Sequence, residues 1–380
     1  MKSSLVLLGA SLLFLLCSLL SCVDGEYAIF YTIENEKEIA DNPSLPNDVA
    51  VNDIVRAADA YYISAVSLWA KQADTQDAEW KKTENSFTPD TLDSTAQCNA
   101  LAYFSVTGKL FASFYSPSEA AHGLYVADPI VDITTTSALQ WAAVTDTDLA
   151  EKQIASLMQL SDNLLACIVV PGGSGTPQSY AVYVSADGTE FSGPVLESLA
   201  RPVTDASYDG TTYWVVAGQQ VFSGTALNAS AMQVVSVESK QANEAFAGAH
   251  YSANFGGVYL SSSEGRIHHY DGTWQASEQI EVSSTVVSFT DMIELADRVL
   301  VGTRGHGYYE IAAGDIGDSA NFSRMPGLTK TDLHYGVVLR LYQTTDDGAE
   351  VIFACTYGAG LWRGQYTTDG TTVSADWNRE

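Results

Sequence analysis

One short unit recurs along this chain and limits the folds open to it. Each copy is an apolar strand, a polar or glycine-rich turn, and a second strand with an apolar residue next to an aromatic or histidine residue. The seven pairs are Leu68-Trp69, Leu124-Tyr125, Val182-Tyr183, Val221-Phe222, Ile267-His268, Tyr308-Tyr309 and Leu361-Trp362. Successive copies lie 39 to 58 residues apart, close to the period of about 40–50 residues found for repeats built from strands.

A repeat of this length with about four strands per unit is typical of propeller blades. A helical solenoid needs two helices per repeat, and residues 49–380 contain no long segment of helical periodicity. A β-sandwich does not repeat at a fixed period, whereas closing a ring removes the open sheet edges that separate units would expose. The sequence therefore predicts an all-β chain with a seven-bladed β-propeller over residues 49–380, and six or eight blades also fit the spacing.

Two of the repeats carry a family resemblance. VLVGTRGHGYYEI (299–311) and VIFACTYGAGLWRG (351–364) resemble blades of the two-component-regulator and Asp-box propeller families. YVSADGTEF (183–191) is similar to the Asp-box turn Ser-x-Asp-x-Gly-x-Thr-Trp, although it is one residue shorter and ends in Phe. Related Asp-Gly turns occur at Asp271-Gly272 and Asp369-Gly370. The resemblance implies a propeller in which the Asp-box is a structural turn, and it leaves the function open.

The N-terminal segment predicts export. Lys2 precedes the apolar run Leu5–Leu20, which is shorter than the roughly 20 residues of a membrane-spanning helix and is typical of a secretory signal. Leu19-Leu20-Ser21-Cys22 resembles the lipobox of bacterial lipoproteins, which implies cleavage after residue 21 and a diacylglyceryl group on Cys22. The alternative is an ordinary signal peptide with an incidental cysteine.

Residues 22–48 are expected to form the lipidated anchor and a linker. Tyr27–Glu34 within them is strand-like and is a candidate to pair into the last blade and close the ring. Against this, the sequence near Val373–Asn378 predicts a fourth strand of the last blade's own. The expected location is the bacterial cell envelope, with the chain held to a membrane by its lipid in the periplasm or at the cell surface.

Charge and cysteine content exclude some partners. The net charge is −28 and the pI is about 4.3, so nucleic acid and anionic lipid surfaces would be repelled. Besides Cys22, the predicted mature chain has Cys98, Cys167 and Cys355. Because Cys167 and Cys355 lie in apolar strand-like runs, we expect buried free thiols.

Candidate ligand-binding residues cluster in predicted turns. In propellers, the turns between second and third strands share one face with the connections between blades, and ligands usually bind there. The candidates on that face are Arg304, His306, Arg266, Glu264 and Tyr357. An exposed Arg–His pair suits a carboxylate or sulfate ligand, but Arg304 and His306 would also serve simply to cap a tight glycine turn.

Three aspartates occupy matching places at the starts of predicted inner strands. They are Asp53, Asp205 and Asp291. If they point into the mouth of the channel, their oxygens suit a hard cation, and calcium is the ion we would expect. The alternative is that each carboxylate accepts hydrogen bonds from backbone amides at its own strand start. No cofactor is required by the sequence.

The sequence favours a binding or scaffold protein whose partner is an envelope protein or an extracellular ligand. The alternative is a carbohydrate-active enzyme or glycan-binding protein of the sialidase-like propeller type. No G-x-S-x-G motif occurs, and no arginine set recurs in the way a sialidase requires. Clustered carboxylates with raised pKa values on the loop face would favour the enzyme.

Overall fold

The computed structural model describes residues 44–46, 49–75, 78–89, 92–93, 95–117, 121–173, 177–295, 298–312, 322–324, 333, 336–368 and 373–380. Within them the chain forms seven sheets of four or five strands, arranged as the blades of a β-propeller, and one two-stranded sheet. The predicted fold class and the number of blades are therefore confirmed. In this described part, no helix is both long and apolar enough to cross a membrane. The signal segment, Cys22 and Tyr27–Glu34 lie outside the described residues, so their predictions stay predictions.

The blades follow one another along the chain. Blade 1 holds β1 (Asp53–Ala57), β2 (Ala60–Ala65), β3 (Ser67–Gln72) and β4 (Lys81–Lys82). Blade 2 holds β6 (Gln97–Phe104), β7 (Lys109–Ser116), β8 (Ala121–Ala127) and β9 (Ala138–Ala143), with β5 (Glu84–Thr88) added outside β9 and parallel to it. Blade 3 holds β10 (Ile154–Leu160), β11 (Asn163–Val170), β12 (Ser179–Ser185) and β13 (Ser192–Leu199). Blade 4 holds β14 (Asp205–Tyr208), β15 (Tyr213–Ala217), β16 (Gln220–Gly224) and β17 (Gln233–Val235).

The remaining three blades have the same strand order. Blade 5 holds β18 (Phe246–Ser252), β19 (Gly257–Ser262), β20 (Ile267–Tyr270) and β21 (Trp274–Ala276). A two-stranded hairpin follows, made of β22 (Glu281–Val282) and β23 (Thr285–Val286). Blade 6 holds β24 (Phe289–Glu294), β25 (Arg298–Thr303), β26 (Tyr308–Ala312) and β27 (Phe322–Arg324). Blade 7 holds β28 (Val337–Asp346), β29 (Ala349–Tyr357), β30 (Leu361–Thr368) and β31 (Val373–Arg379).

Every one of the seven apolar–aromatic pairs lies in the third strand of its blade. The first member of each pair is buried in all seven blades. The pattern works because a blade is covered on both faces by its neighbours, so both alternating sides of the strand carry large side chains. Buried apolar clusters accordingly join consecutive blades. In one of them, Phe104 and Phe111 of blade 2 pack with Phe191 of blade 3.

The ring closes between blades 7 and 1. The Val51 amide donates to the Thr356 carbonyl over 3.0 Å. Glu380 follows β31 directly, and its carboxylate accepts hydrogen bonds from the Lys71 ammonium and the Trp80 indole of blade 1. Because Lys71 is almost wholly buried, it needs this carboxylate as its counter-charge. All four strands of blade 7 come from the C-terminal part of the chain, and the fourth strand lies where the sequence predicted it.

The Asp-box-like segment forms a structural turn. Asp187 Oδ1 accepts hydrogen bonds from the amides of Thr189 and Glu190, and these bonds hold the pKa of Asp187 well below its ordinary value. Gly188 has a φ of +75°, and a Cβ there would lie 2.3 Å from the Phe111 ring. Only glycine therefore fits between this turn and the core of blade 2.

Antiparallel connectivity fixes which loops share a face. We use the name loop face for the end of the ring where the inner strands begin and where second strands turn into third strands. The other end, with the first-to-second and third-to-fourth turns, is the opposite face. The inner strands of blades 2, 3, 5, 6 and 7 each have a β-bulge close to the loop face. Bulges of this kind re-aim side chains near sites. Cys98, Cys167 and Cys355 are free and buried, as expected.

Candidate functional site

The mouth of the central channel on the loop face holds the three aspartates singled out in the sequence. Asp53, Asp205 and Asp291 each use Oδ1 to accept the amide hydrogen of the next residue, over 3.0, 2.9 and 2.8 Å respectively. This is the local backbone capping considered above as the alternative to metal binding.

The second oxygen of these carboxylates reaches the inner strand of the next blade. Asp205 Oδ2 accepts the Ala249 amide over 2.8 Å, and Asp291 Oδ2 accepts the Leu341 amide over 2.7 Å. The Leu101 amide of blade 2 acts on Asp53 electrostatically and favours its charged form. Asp205 and Asp291 therefore tie blades 4 to 5 and 6 to 7 by hydrogen bonds at the channel mouth.

Arg340 provides the positive charge among these carboxylates. Its guanidinium lies 3.3 Å from Asp53 Oδ1, and its side chain is 34% exposed within the channel. The negative charge of Asp53, together with that of Asp291 and Asp205, raises the pKa of Arg340. Arg340 follows the bulge in β28, which re-aims this residue relative to Val338.

Burial is the largest influence on the pKa values of the three aspartates, and it raises them. It raises the pKa of Asp53 to about 6, against the opposing attraction of Arg340. Burial and the nearby charge of Asp291 raise the pKa of Asp205 to about 7, and burial also raises that of Asp291. In the described part of the chain, no group of three or more His, Cys, Asp or Glu side chains is arranged to hold a metal ion. Calcium at this place stays a prediction, and the ion would have to compete with the guanidinium.

A cavity of about 250 Å³ lies beside this cluster in the channel. It is bordered by inner strands of blades 1, 2, 3 and 7, with Asp53, Arg56, Arg340 and Tyr342 among its polar lining. On the far side, His250 Nε2 lies 3.0 Å from Glu294 and acts electrostatically on Asp291. Sequence reasoning missed Arg340 and His250, because each is a single polar residue within an ordinary inner strand. Arg340 could have been found from the sequence, because it is a charged residue in the middle of the apolar run VVLRLY (337–342).

The five ligand-binding candidates lie in the second-to-third-strand turns of blades 5, 6 and 7, on the loop face. Arg304 is exposed, and its guanidinium forms no hydrogen bond or ion pair with any described residue. His306 is half-buried in the same turn, and burial lowers its pKa. Tyr357 is 68% exposed at the end of β29.

Glu264 and Arg266 lie together in the turn of blade 5. Glu264 contributes its carbonyl, which accepts a hydrogen bond from Gln279. Arg266 Nε is buried and has no hydrogen-bond partner among the described atoms. The fold thus places all five candidates on one face in three consecutive blades, while no contact joins the three turns through these side chains in the described structure. Their role as ligand-binding residues stays a prediction.

Sequence reasoning missed a groove on the loop face between blades 2 and 3. Its volume is about 700 Å³, within the range of about 300–1,000 Å³ typical of ligand pockets. Its walls are mostly apolar and are formed by Pro89, Leu92, Leu124, Tyr125 and Val144, with His122, Thr145 and Glu151 adding polar atoms.

One wall of the groove is an open strand edge. In β8 only Tyr125 and Val126 pair with β9, so Ala121–Gly123 have no strand partner on that side among the described residues. The Val144 amide donates to the Leu124 carbonyl. Because backbone direction alternates along a strand, the N–H and C=O of His122 also face this edge.

The His122 side chain adds a further polar atom at this edge. Its ring stacks on Tyr115 with 4.6 Å between the ring centroids, and its buried Nδ1 has no hydrogen-bond partner in the described structure. Burial lowers the pKa of His122, which favours the neutral ring. The groove therefore combines apolar walls with backbone hydrogen-bonding groups of His122 that have no partner in the described structure.

No protein-family model matches this chain, and no curated protein sequence matches it. Solved structures do resemble it. YCF48 with a bound D1 peptide has a TM-score of 0.56 and 13% identity, covering 88% of this chain and 99% of that one. The extracellular domain of a hybrid two-component system from B. thetaiotaomicron has a TM-score of 0.55 and 12% identity, covering 83% of this chain and 39% of that one.

A third similar structure is PorZ, a bacterial surface component of the type-IX secretion system of Porphyromonas gingivalis. Its TM-score is 0.51 at 14% identity, with 87% of this chain and 38% of that chain covered. Identities this low establish a shared propeller fold and nothing finer.

Proposed function

We propose that this protein is a peptide-binding propeller of the bacterial envelope, and that its partner adds an extended segment to the open edge of β8. The observation that carries the proposal is that Ala121–Gly123, beside an apolar groove, have no strand partner on one side among the described residues. A strand edge of this kind is a template for another chain, and native proteins usually cover it. Strand addition gives affinity through main-chain hydrogen bonds and specificity through side-chain pockets.

The fold supports a binding role without chemistry of its own. A propeller is a rigid disc, and rigid scaffolds that present loops are suited to recognition. YCF48, which shares the fold, holds a peptide. Arg304 on the same face has no partner in the described structure and would pair with an acidic group of the bound protein.

A library of random peptides displayed on phage tests the groove. We expect the wild-type protein to enrich peptides of extended, β-favouring sequence. Ala150 is exposed and lines the groove, so Ala150→Trp would fill it and should weaken binding of the selected peptides by more than tenfold, which corresponds to about 1.4 kcal/mol. Isothermal titration with a synthetic copy of the selected peptide gives the two dissociation constants.

Ala142→Trp is the matched control, because Ala142 is an exposed alanine of the same blade that does not line the groove. His122→Pro removes the N–H that faces the open edge and leaves the hydrogen bonds to β7 in place. Strand addition requires that both Ala150→Trp and His122→Pro weaken binding while Ala142→Trp does not. Failure to enrich any peptide, or equal affinity in all variants, would reject the groove as the docking site.

The proposed location rests on the lipobox-like residues before Cys22. Acyl chains on this residue would hold the propeller to a membrane. We expect wild-type protein expressed in a bacterial host to enter the detergent phase of a Triton X-114 extraction, and Cys22→Ser to stay in the aqueous phase. Equal partition of the two proteins would show that Cys22 carries no anchor. That result would not bear on peptide binding in the groove.

One observation favours the alternative carbohydrate-active enzyme. The carboxylates at the channel mouth have raised pKa values, as a general acid does. However, both oxygens of Asp205 and Asp291 already accept backbone amides. Structural ion networks raise pKa values in the same way, so we place the enzyme second.

A further inference from the structure

A further cavity lies on the opposite face, between blades 4 and 5. It is separate from the groove beside β8 and from the central channel. Its volume is about 730 Å³. Its rim is formed by the first-to-second-strand turns of both blades, which contain Asp209 and Phe255, and by the third-to-fourth-strand turn of blade 5 at Asp271-Gly272.

Aromatic rings form the walls of this cavity. Trp214, Tyr251, Phe255 and Tyr270 line it. The centroids of the Trp214 and Tyr270 rings are 5.3 Å apart with their planes inclined by 53°, so the two rings present faces in different directions. The Trp214 indole N–H donates to Asp209 Oδ2 over 3.2 Å, which fixes the orientation of this ring. Tyr251, Phe255 and Tyr270 are each half-buried and remain accessible.

The charged groups of the cavity are all acidic. Among the described residues that line it, Asp209 and Asp271 are the carboxylates, and no lysine or arginine is present. The one imidazole of the lining, His269, stacks on Tyr259 and directs Nε2 at the Gly256 carbonyl over 2.6 Å. Burial acts to raise the pKa of Asp209, but hydrogen bonds from Thr211, Thr212 and Trp214 outweigh it and hold the carboxylate ionised. Asp271 is exposed and makes only long contacts of 3.3–3.4 Å with Thr273, so its charge is available to a ligand.

We propose that this cavity binds a cation of the ammonium or guanidinium class, held by the aromatic faces and by the two carboxylates. Cations are attracted to the negative faces of Trp, Tyr and Phe rings, by about 0.5–1 kcal/mol at exposed sites and about 2 where water is excluded. An anion would be repelled by the same groups, and an apolar ligand would bury carboxylates without a counter-charge. The protein's net charge of −28 also draws cations towards it.

Titration with choline, followed by tryptophan fluorescence and isothermal calorimetry, tests the proposal. The neutral analogue 3,3-dimethylbutan-1-ol has the same shape without the charge. We expect saturable binding of choline at least tenfold tighter than that of the analogue. Phe255→Leu keeps an apolar side chain but removes the ring face, and Asp271→Asn removes the available charge. Each should weaken choline by roughly three- to thirty-fold, the equivalent of about 0.6–2 kcal/mol.

Asp132→Asn is the matched control, because Asp132 forms an Asp-x-Thr turn of the same kind on blade 2, away from the cavity. Its choline affinity should equal that of wild type. Three outcomes overturn the proposal: no saturable choline binding, equal binding of choline and its neutral analogue, or wild-type affinity in both Phe255→Leu and Asp271→Asn. Since the peptide groove lies on the other face, none of these outcomes affects the proposed function.

Discussion

Replacing Arg340 by Gln is expected to lower the free energy of unfolding by about 1–3 kcal/mol at pH 8, and by clearly less at pH 5. Arg340 compensates the charges of Asp53, Asp205 and Asp291 at the channel mouth. Without the guanidinium, Asp53, Asp205 and Asp291 lose the counter-charge that they share, and His250 acts on Asp291 alone. A fully buried ion network loses about 3–5 kcal/mol when one partner is removed, and the partial exposure of Arg340 makes the loss smaller here.

The pH dependence follows from the direction of the pKa shifts. Asp53 and Asp205 have folded-state pKa values of about 6 and 7, above the ordinary 3.8. The folded state therefore binds these protons more tightly than the unfolded state, so these groups favour folding more at pH 5 than at pH 8. In Arg340→Gln the pKa values should rise further. At pH 5 the carboxylates are then largely neutral, and the missing guanidinium matters less.

Urea unfolding of both proteins at pH 5 and pH 8 measures the effect. His250 and Glu294 also lie beside the cluster, but they are present in both proteins, so the difference at each pH isolates Arg340. Lys109→Gln is the control, because Lys109 pairs with the exposed Asp128 and should change stability by less than about 1 kcal/mol at either pH. Arg340→Lys should recover part of the loss. An equal loss at both pH values would mean that Arg340 does not neutralise these aspartates.

The repeat could be predicted from sequence because each third strand is covered on both sides. This burial requires large side chains at adjacent positions, which are visible in a short stretch of sequence. Leu68-Trp69 and Leu361-Trp362 carry the same signal in blades 1 and 7, and Trp69 and Leu361 pack in one cluster where these two blades meet. The starts of the inner strands were also readable, since Asp53, Asp205 and Asp291 occupy matching places. The partner of these aspartates could not be predicted, because Arg340 belongs to blade 7 and lies far from Asp53 in sequence.

The groove between blades 2 and 3 and the cavity between blades 4 and 5 could not be predicted either, because each depends on contacts between segments distant in sequence. The groove beside β8 exists because β9 pairs with only part of it, and because β5 covers β9 from the outside. The cavity on the opposite face needs Trp214 of blade 4 and Tyr270 of blade 5 to meet across a blade boundary. Periodicity identifies blades, whereas these sites depend on strand lengths and on the packing of neighbouring blades.

A polar chain that joins the connection between blades 4 and 5 to β20 gives the second large effect, and its members Glu244 and His268 are fully buried. Ser239 Oγ lies 2.8 Å from His268 Nδ1, and His268 Nε2 lies 2.8 Å from Glu244 Oε1. The Gln241 amide donates to Glu244 Oε2. These residue types also form acyl-transfer triads, but a catalytic histidine has to reach its substrate and His268 is 0% exposed. The chain instead fixes the connection from blade 4 onto β20.

Glu244→Gln is expected to lower the free energy of unfolding by about 2–3 kcal/mol at pH 7, because hydrogen bonds to a buried charge are lost and an amide N–H₂ then faces other donors. Burial acts to raise the pKa of Glu244, but the hydrogen bonds from His268 and Gln241, together with the nearby Ser262 hydroxyl, outweigh it and lower the pKa from 4.5 to about 2. This carboxylate therefore stabilises the fold fully above about pH 5, and the contribution of about 3 kcal/mol is lost as the pH falls towards 2.

Urea unfolding at pH 6, 4 and 3 tests this prediction. Other acids titrate in the same range, but they do so in both proteins, so the difference between wild type and Glu244→Gln should shrink steadily with falling pH. Glu197→Gln, at an exposed glutamate of blade 3, should differ little from wild type at any of these values. A difference that stayed constant from pH 6 to pH 3 would show that Glu244 is not held ionised by its partners, and that the cost of the substitution comes from packing alone.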